Sequence, residues 1–190
     1  SKGVLMKLSL SKRTGETKSE KSLIRHKGNI PAVIYSKGKQ NHLVTINGIE
    51  FDAILREIQK GQLPTTVIHL EGEGLSCKAV VKDIQYEPTT YRVLHLDFLE
   101  LQQEVPVNIN VPIRFSGVAD CPGIKLGGLL RQVIRHLKVN CLPSRMPKEF
   151  VLDVKDLGLK QTKRIKDIVM PEGVAPLAPV NEVVVVIAKR

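Results

Sequence analysis

Runs of alternating apolar and polar residues, each too short for a buried helix, limit this chain to a β-rich fold. "VLMKLSLSKR" sets Val4, Met6, Leu8 and Leu10 against Leu5, Lys7, Ser9 and Ser11. "IPAVIY" sets Ile30, Ala32 and Ile34 against Pro31, Val33 and Tyr35, and "HLVTIN" follows as a third strand. The period then changes: in "GIEFDAILREIQKGQL", Phe51, Ile54, Leu55 and Ile58 recur at helical spacing, with Gly61 as the stop. "TTVIHLEGEG" and "LSCKAVVKDIQYEP" predict a hairpin through Gly72 and Gly74, and "TYRVLHLDFLEL" predicts one more strand. "TGETKSEKSLIRHKGN", full of turn residues, reads either as an ordered loop or as a short helix over 19–25. The order β-β-β-α-β-β-β with short turns predicts a compact antiparallel barrel carrying one or two helices.

A second domain begins near residues 102–104, dividing the chain into 1–103 and 104–190. "QQEVPVNINVPIRF" alternates between Pro106 and Pro112, as an edge strand would. "GGLLRQVIRHLKVNCLP" has two readings: Leu130, Val133, Ile134 and Leu137 fit a helix, while "HLKVNCL" alternates like a strand. "KEFVLDV" and "NEVVVVIAKR" predict strands, the last one buried. The fold class is mostly β with minor α (α+β).

Composition removes several function classes. No run reaches the ~18 apolar residues of a membrane span, and "SKGVLMKLSL" is too polar for a secretory signal, so a cytoplasmic location and no membrane partner are expected. Cys77, Cys121 and Cys141 are odd in number and widely spaced, which fits free thiols and neither a disulfide framework nor a zinc site. The chain offers no GxSxG, phosphate-cradling glycine loop or HExxH, so no catalysis, cofactor or metal is expected.

The formal charge is +10, and residues 1–40 hold eight Lys and two Arg against two Glu. Beyond residue 40, nineteen basic residues face seventeen acidic ones. A concentrated basic segment running through strands is the footprint of a polyanion binder. "VLHLDFL" carries the other polar signal. On a strand, Leu94, Leu96 and Phe98 enter the core, while His95 and Asp97 stand together on the opposite face. Read as catalytic, the two would form a dyad, but it has no nucleophile, metal or oxyanion device to serve; the plainest reading of the pattern is two solvated strand residues. Read as binding, they share a face with Tyr35 and with Lys82 or Gln85, whichever parity points outward. Arg13, Lys18, Lys21 and Arg25 supply phosphate contacts. A carboxylate among cations suits groove reading better than charge neutralisation, and the wide minor groove of RNA, with its 2′-hydroxyls, fits best.

"IPAVIYSKGK", "VVKDIQYEP" and "HLDF", in this order, closely resemble the bacterial large-subunit ribosomal protein family twenty-five, which binds 5S rRNA. "VPIRFSGVADCPGIKLGGLLRQVIRHLKVNCLP" resembles the C-terminal domain of its long CTC, or general-stress, type. The resemblance implies an N-terminal six-stranded β-barrel that docks on 5S ribosomal RNA and a β-rich C-terminal domain. It carries RNA-facing roles onto Arg13, Lys18, Tyr35, Gln85, His95 and Asp97, with Arg25 at a basic position before the glycine turn. Where the family often has paired arginines this chain has Ser22 and Leu23, for which Lys21 compensates; Ser36 replaces a usual glycine. The expectation is a structural constituent of the large ribosomal subunit, a monomer when free. The second domain stays functionally open: Arg131, Arg135, Lys138, Lys163, Arg164 and Lys166 either touch rRNA or neighbouring large-subunit ribosomal proteins or are merely solvated. The alternative is a protein–protein adaptor or general stress factor acting off the ribosome.

Overall fold

The computed structural model describes residues 6–14 and 17–190. Val4 and Leu5 of the expected first strand, and Gly15 and Glu16 of the loop after it, lie outside the described residues. The chain separates into two compact units, one ending at Val105 and the other beginning at Pro106.

The first unit contains β1 (Lys7–Lys12), α1 (Lys18–His26), β2 (Asn29–Tyr35), β3 (His42–Asn47), α2 (Gly48–Glu57), β4 (Ile68–Gly72), β5 (Leu75–Tyr86) and β6 (Val93–Glu100). Its strands close into a barrel in the order β1-β3-β2-β6-β5-β4. The barrel is mixed and not wholly antiparallel: β2–β6 and β1–β4 run parallel. The reason is parity. The antiparallel pairs of β1-β3-β2 make β1 and β2 codirectional, and those of β6-β5-β4 do the same for β4 and β6. The two seams must therefore be of one kind, and here both are parallel.

Leu8, Leu10, Ile30, Ala32, Ile34, Leu96 and Phe98 fill the barrel, as the alternation required. Phe51 and Ile54 enter the same core from α2. Asn47 caps α2, its side chain accepting from the N–H groups of Ile49 and Glu50 at 3.0 and 3.1 Å. Residues 18–26 form a helix and not a loop; Thr17 caps it by accepting from the Glu20 N–H at 3.3 Å. This helix packs on β2, on which Pro31 and Val33 are buried along with Ile30, Ala32 and Ile34. The β4–β5 hairpin turns at Glu73 and Gly74, both with positive φ as a two-residue turn of matching twist requires.

Two bulges reset the barrel's parity. Between β5 and β6 the register shifts at Lys82 and again at Leu94, each an extra residue without an opposite partner. At the second shift Val93 takes the buried place expected of Leu94, which is only half-buried.

The second unit comprises β7 (Val107–Ser116), α3 (Pro122–Lys125), β8 (Leu129–Gln132), β9 (His136–Cys141), β10 (Phe150–Asp153), β11 (Thr162–Arg164), β12 (Ala175–Pro176) and β13 (Val183–Ala188). It holds a β10-β7-β9-β12 sheet and a β11-β13-β8 sheet. "GGLLRQVIRHLKVNCLP" thus becomes two strands joined by a turn and not a helix. The expected edge strand β7 lies inside its sheet. Pro112 is tolerated there because the Ile113 N–H bonds to Arg135 O at 3.0 Å, which makes Pro112–His136 a non-bonded pair. The proline nitrogen therefore points away from β9, and the parallel partner β10 begins only at Ile113.

Phe98 is fully buried at the centre of the barrel. Phe98→Ala should cost about 3–5 kcal/mol of stability, read from the shift in urea unfolding.

Candidate nucleic-acid interface

The outer face of the barrel is assembled from strands remote in sequence. On β6, His95 and Asp97 alternate with Leu96 and Phe98, so both polar side chains leave the core. Gln85 lies opposite His95 on β5, and Val33 lies opposite Asp97 on β2, two residues before Tyr35. The His95 Nδ1 and Asp97 Oδ1 atoms are 3.3 Å apart, with side chains 14% and 21% exposed. The pair is thus largely buried and keeps some access to solvent. A carboxylate at Nδ1 favours the proton there and leaves Nε2 as an acceptor in the neutral ring.

Arg13 follows β1 and is half-buried. Its Nε donates to Val44 O at 3.0 Å and its Nη2 to Ala32 O at 3.1 Å. The guanidinium therefore staples β3 and β2 while keeping its charge at the face. Arg25 of α1 donates from Nε to Leu94 O at 2.8 Å, which docks the end of the helix on β6 at the bulge. Lys21 is one turn earlier and half-buried; Lys18 is a further turn back and exposed.

These charges converge on His95. Burial holds its imidazole below the ordinary 6.5; Asp97 acts upward, and Arg13, Lys21 and Arg25 act downward. The structure so brings together His95, Asp97, Gln85, Arg13, Lys21 and Arg25, with Tyr35 beside them. Lys18 is joined to the group only through the helix.

Sequence parity left a choice between Lys82 and Gln85, and the structure exposes both. The bulge at Lys82 lets two residues an odd number apart share one side. The Lys82 ammonium lies 4.8 Å from the Tyr35 ring centroid, reaching across β6 in a cation–π contact. Arg92, which the sequence reading passed over, donates through its guanidinium to Arg25 O. With Ser22, Arg25, His26, Glu87 and Leu94 it lines a shallow open depression. Nothing in its local sequence, where it is the only Lys or Arg between Glu87 and Asp97, pointed to that place. Ser36 is buried and donates its hydroxyl to Glu100.

All three cysteines are free, and Cys77 is pushed up to about 11 by burial and by Glu100. Among the described residues no group of three His, Cys, Asp or Glu could hold a metal ion, and no helix is long and apolar enough to cross a membrane.

Residues 8–98 match the model of the Ribosomal L25p family, and residues 106–190 match that of the ribosomal protein TL5 C-terminal domain. A mixed barrel with a cation-fringed polar face, followed by a β-rich unit of this second type, defines a ribosomal protein with no enzymatic role. The large ribosomal subunit protein bL25 of Chlamydia muridarum is 46% identical over 97% of this chain and all of its own length. Those of Chlamydia caviae and Chlamydia pneumoniae are 45% and 44% identical over the same shares. The chain belongs to the bL25 family.

Histidine titration, followed through ring-proton shifts by NMR, checks the field at the face. In the free protein His95 should titrate below 6.5; Asp97→Asn should lower it further, and Lys21→Gln with Arg25→Gln should raise it. Because the folded state binds this proton less tightly than the unfolded chain, the stabilisation is complete above pH 6.5. It is lost as pH falls through the depressed value.

Proposed function

We propose that this protein is a structural constituent of the bacterial large ribosomal subunit, cytoplasmic and ribosome-associated, and that its barrel binds 5S ribosomal RNA. The observation that carries this reading is the His95–Asp97 pair, 3.3 Å apart and partly accessible to solvent, within the field of Arg13, Lys21 and Arg25. Membership of a family whose relatives are named for the large subunit supports the assembly.

The division of labour follows from chemistry. Lys18, Lys21 and Arg25 line one side of α1 and contact phosphates. Arg13 adds charge from a fixed position, its donors tied to Val44 and Ala32 carbonyls. Asp97 accepts from a 2′-hydroxyl or an exocyclic amine, which a phosphate-neutralising surface would not need. His95, held by Asp97, presents Nε2 as an acceptor when neutral and as a donor to phosphate when protonated. Gln85 can donate and accept at a groove edge, and Tyr35 offers a ring or hydroxyl whose other side is covered by Lys82. Recognition is of a folded RNA's shape, since these groups are fixed on strands and one docked helix. The free protein is a monomer in this reading.

Gel-shift titration of the full chain with 5S RNA tests the assignment. His95→Ala and Asp97→Ala should each weaken binding by about 1–3 kcal/mol, the range for charge-assisted hydrogen bonds. Affinity should fall steeply between low and physiological salt as counterions are released. A folded double variant that binds normally would remove the pair from the site. On a sucrose gradient the protein should travel with large subunits; free protein at the top would favour an adaptor or stress factor acting off the ribosome.

A further inference from the structure

The near-balance of charge beyond residue 40 hides a division. Residues 41–105 hold five Lys and Arg against ten Asp and Glu, whereas residues 106–190 hold fourteen against seven. The second unit alone therefore carries +7 of the chain's +10.

Much of this charge is not consumed internally. Within the second unit Glu149 pairs with Arg114, Asp153 with Lys155 and Glu172 with Arg145, at 3.0, 3.7 and 3.8 Å. Asp167 is engaged by the Arg164 N–H. Arg131, Arg135 and Lys138 form no ion pair among the described residues, and all three are exposed, as is His136 between them. They follow the chain from β8 through its turn into β9.

The sheet beside them has an unusual surface. Register sets Asn110 against Lys138 and Asn108 against Asn140 on the solvent side of β7 and β9. The Asn140 Nδ2 donates to Asn108 Oδ1 at 2.7 Å. Asparagine is depleted in strands because its short amide packs poorly and competes for the backbone. Three of them on one open sheet face provide donors and acceptors that the fold itself does not require.

We propose that this face of β7 and β9, edged by the β8–β9 turn, is a second RNA-binding surface that takes double-helical RNA. Lys138 and Arg135 contact phosphates, and the amides of Asn108 and Asn110 reach 2′-hydroxyls across the minor groove. The +7 charge selects a polyanion over a protein partner, whose docking surface would need a desolvated apolar centre. Exposed apolar residues flank this face, as Val151 on β10 and Leu177 beyond β12, and its centre is polar. The lack of a run of exposed rings selects duplex over single strand: Phe150 is buried and Phe115 half-buried, which leaves His136 as the unit's one exposed aromatic ring, too few to stack successive bases. None of this rests on the barrel's reading.

The test uses the full chain and a labelled 20-base-pair RNA duplex of mixed sequence, followed by fluorescence anisotropy. Lys21→Glu with Arg25→Glu first suppresses the barrel's contribution. In that background, Arg135→Glu with Lys138→Glu should weaken the remaining duplex binding about tenfold or more. It should also flatten the salt slope by about one unit per lost phosphate contact. Asn110→Ala should weaken RNA duplex more than a DNA duplex of the same sequence. As a control, Lys160→Glu with Lys189→Glu, which carries the same charge change elsewhere, should cost much less. Equal losses from the control, or unchanged binding by Arg135→Glu/Lys138→Glu, would overturn the proposal. So would Arg135→Glu/Lys138→Glu in the otherwise unchanged chain if it kept duplex affinity but no longer stayed on large subunits, since a protein would then be the partner. The side chains substituted in the second unit are exposed, whereas Lys21 and Arg25 are half-buried and Arg25 holds Leu94 O, so circular dichroism checks the fold of the background variant first.

Discussion

The two parallel seams, β2–β6 and β1–β4, are the constraint on which the rest of the first unit depends. Neither can be made by a hairpin, so each joins strands distant in sequence and forms only when both three-stranded halves are in place. The β2–β6 seam puts Val33 opposite Asp97, and so brings the basic N-terminal third of the chain against the "HLDF" strand. Without it His95 and Asp97 would lie on a hairpin with Gln85, far from Arg13 and α1. The barrel's hydrophobic filling, with Leu96 and Phe98 fully buried, is what holds that seam closed.

The electrostatics of the face follow from this closure. Asp97 is surrounded by more positive charge than it can offset, and the imbalance falls on His95. Burial and three cations act to keep the ring neutral, with one carboxylate opposing them. Such a face is poised and not saturated: it presents acceptors as well as donors, which a uniformly basic surface cannot do. In the proposed complex that mixture separates groove recognition from simple attraction. The cation–π contact of Lys82 with Tyr35 adds a covered aromatic at the edge of the same surface.

The two units use positive charge differently. In the first, the cations gather on β1, its loop and α1, over a body whose remaining residues are acidic in sum. In the second, excess charge is spread over short strands and turns, beside a sheet face of amides. The proposed double attachment has a physical consequence: two modest contacts on one chain raise the effective concentration of the second once the first is made.

Much of this was legible in the chain. Period-two alternation located β1 to β6 and β10, because burying one face of a strand leaves that imprint regardless of its neighbours, and a continuous apolar run located β13. The same rule put His95 and Asp97 outside. It did not reach "RQVIRHLKVN", where helical and strand periods coincide over a short span and only pairing with β7 and β13 decides. Nor could it find the bulges at Lys82 and Leu94, since an unpaired residue leaves no mark on composition; they exchange Leu94 for Val93 in the core and expose Lys82 together with Gln85. The mixed direction of the barrel, the docking of Arg25 on Leu94 O and the stapling of Arg13 belong to the tertiary structure alone. They join groups tens of residues apart, and strand pairing, not local sequence, chooses such neighbours.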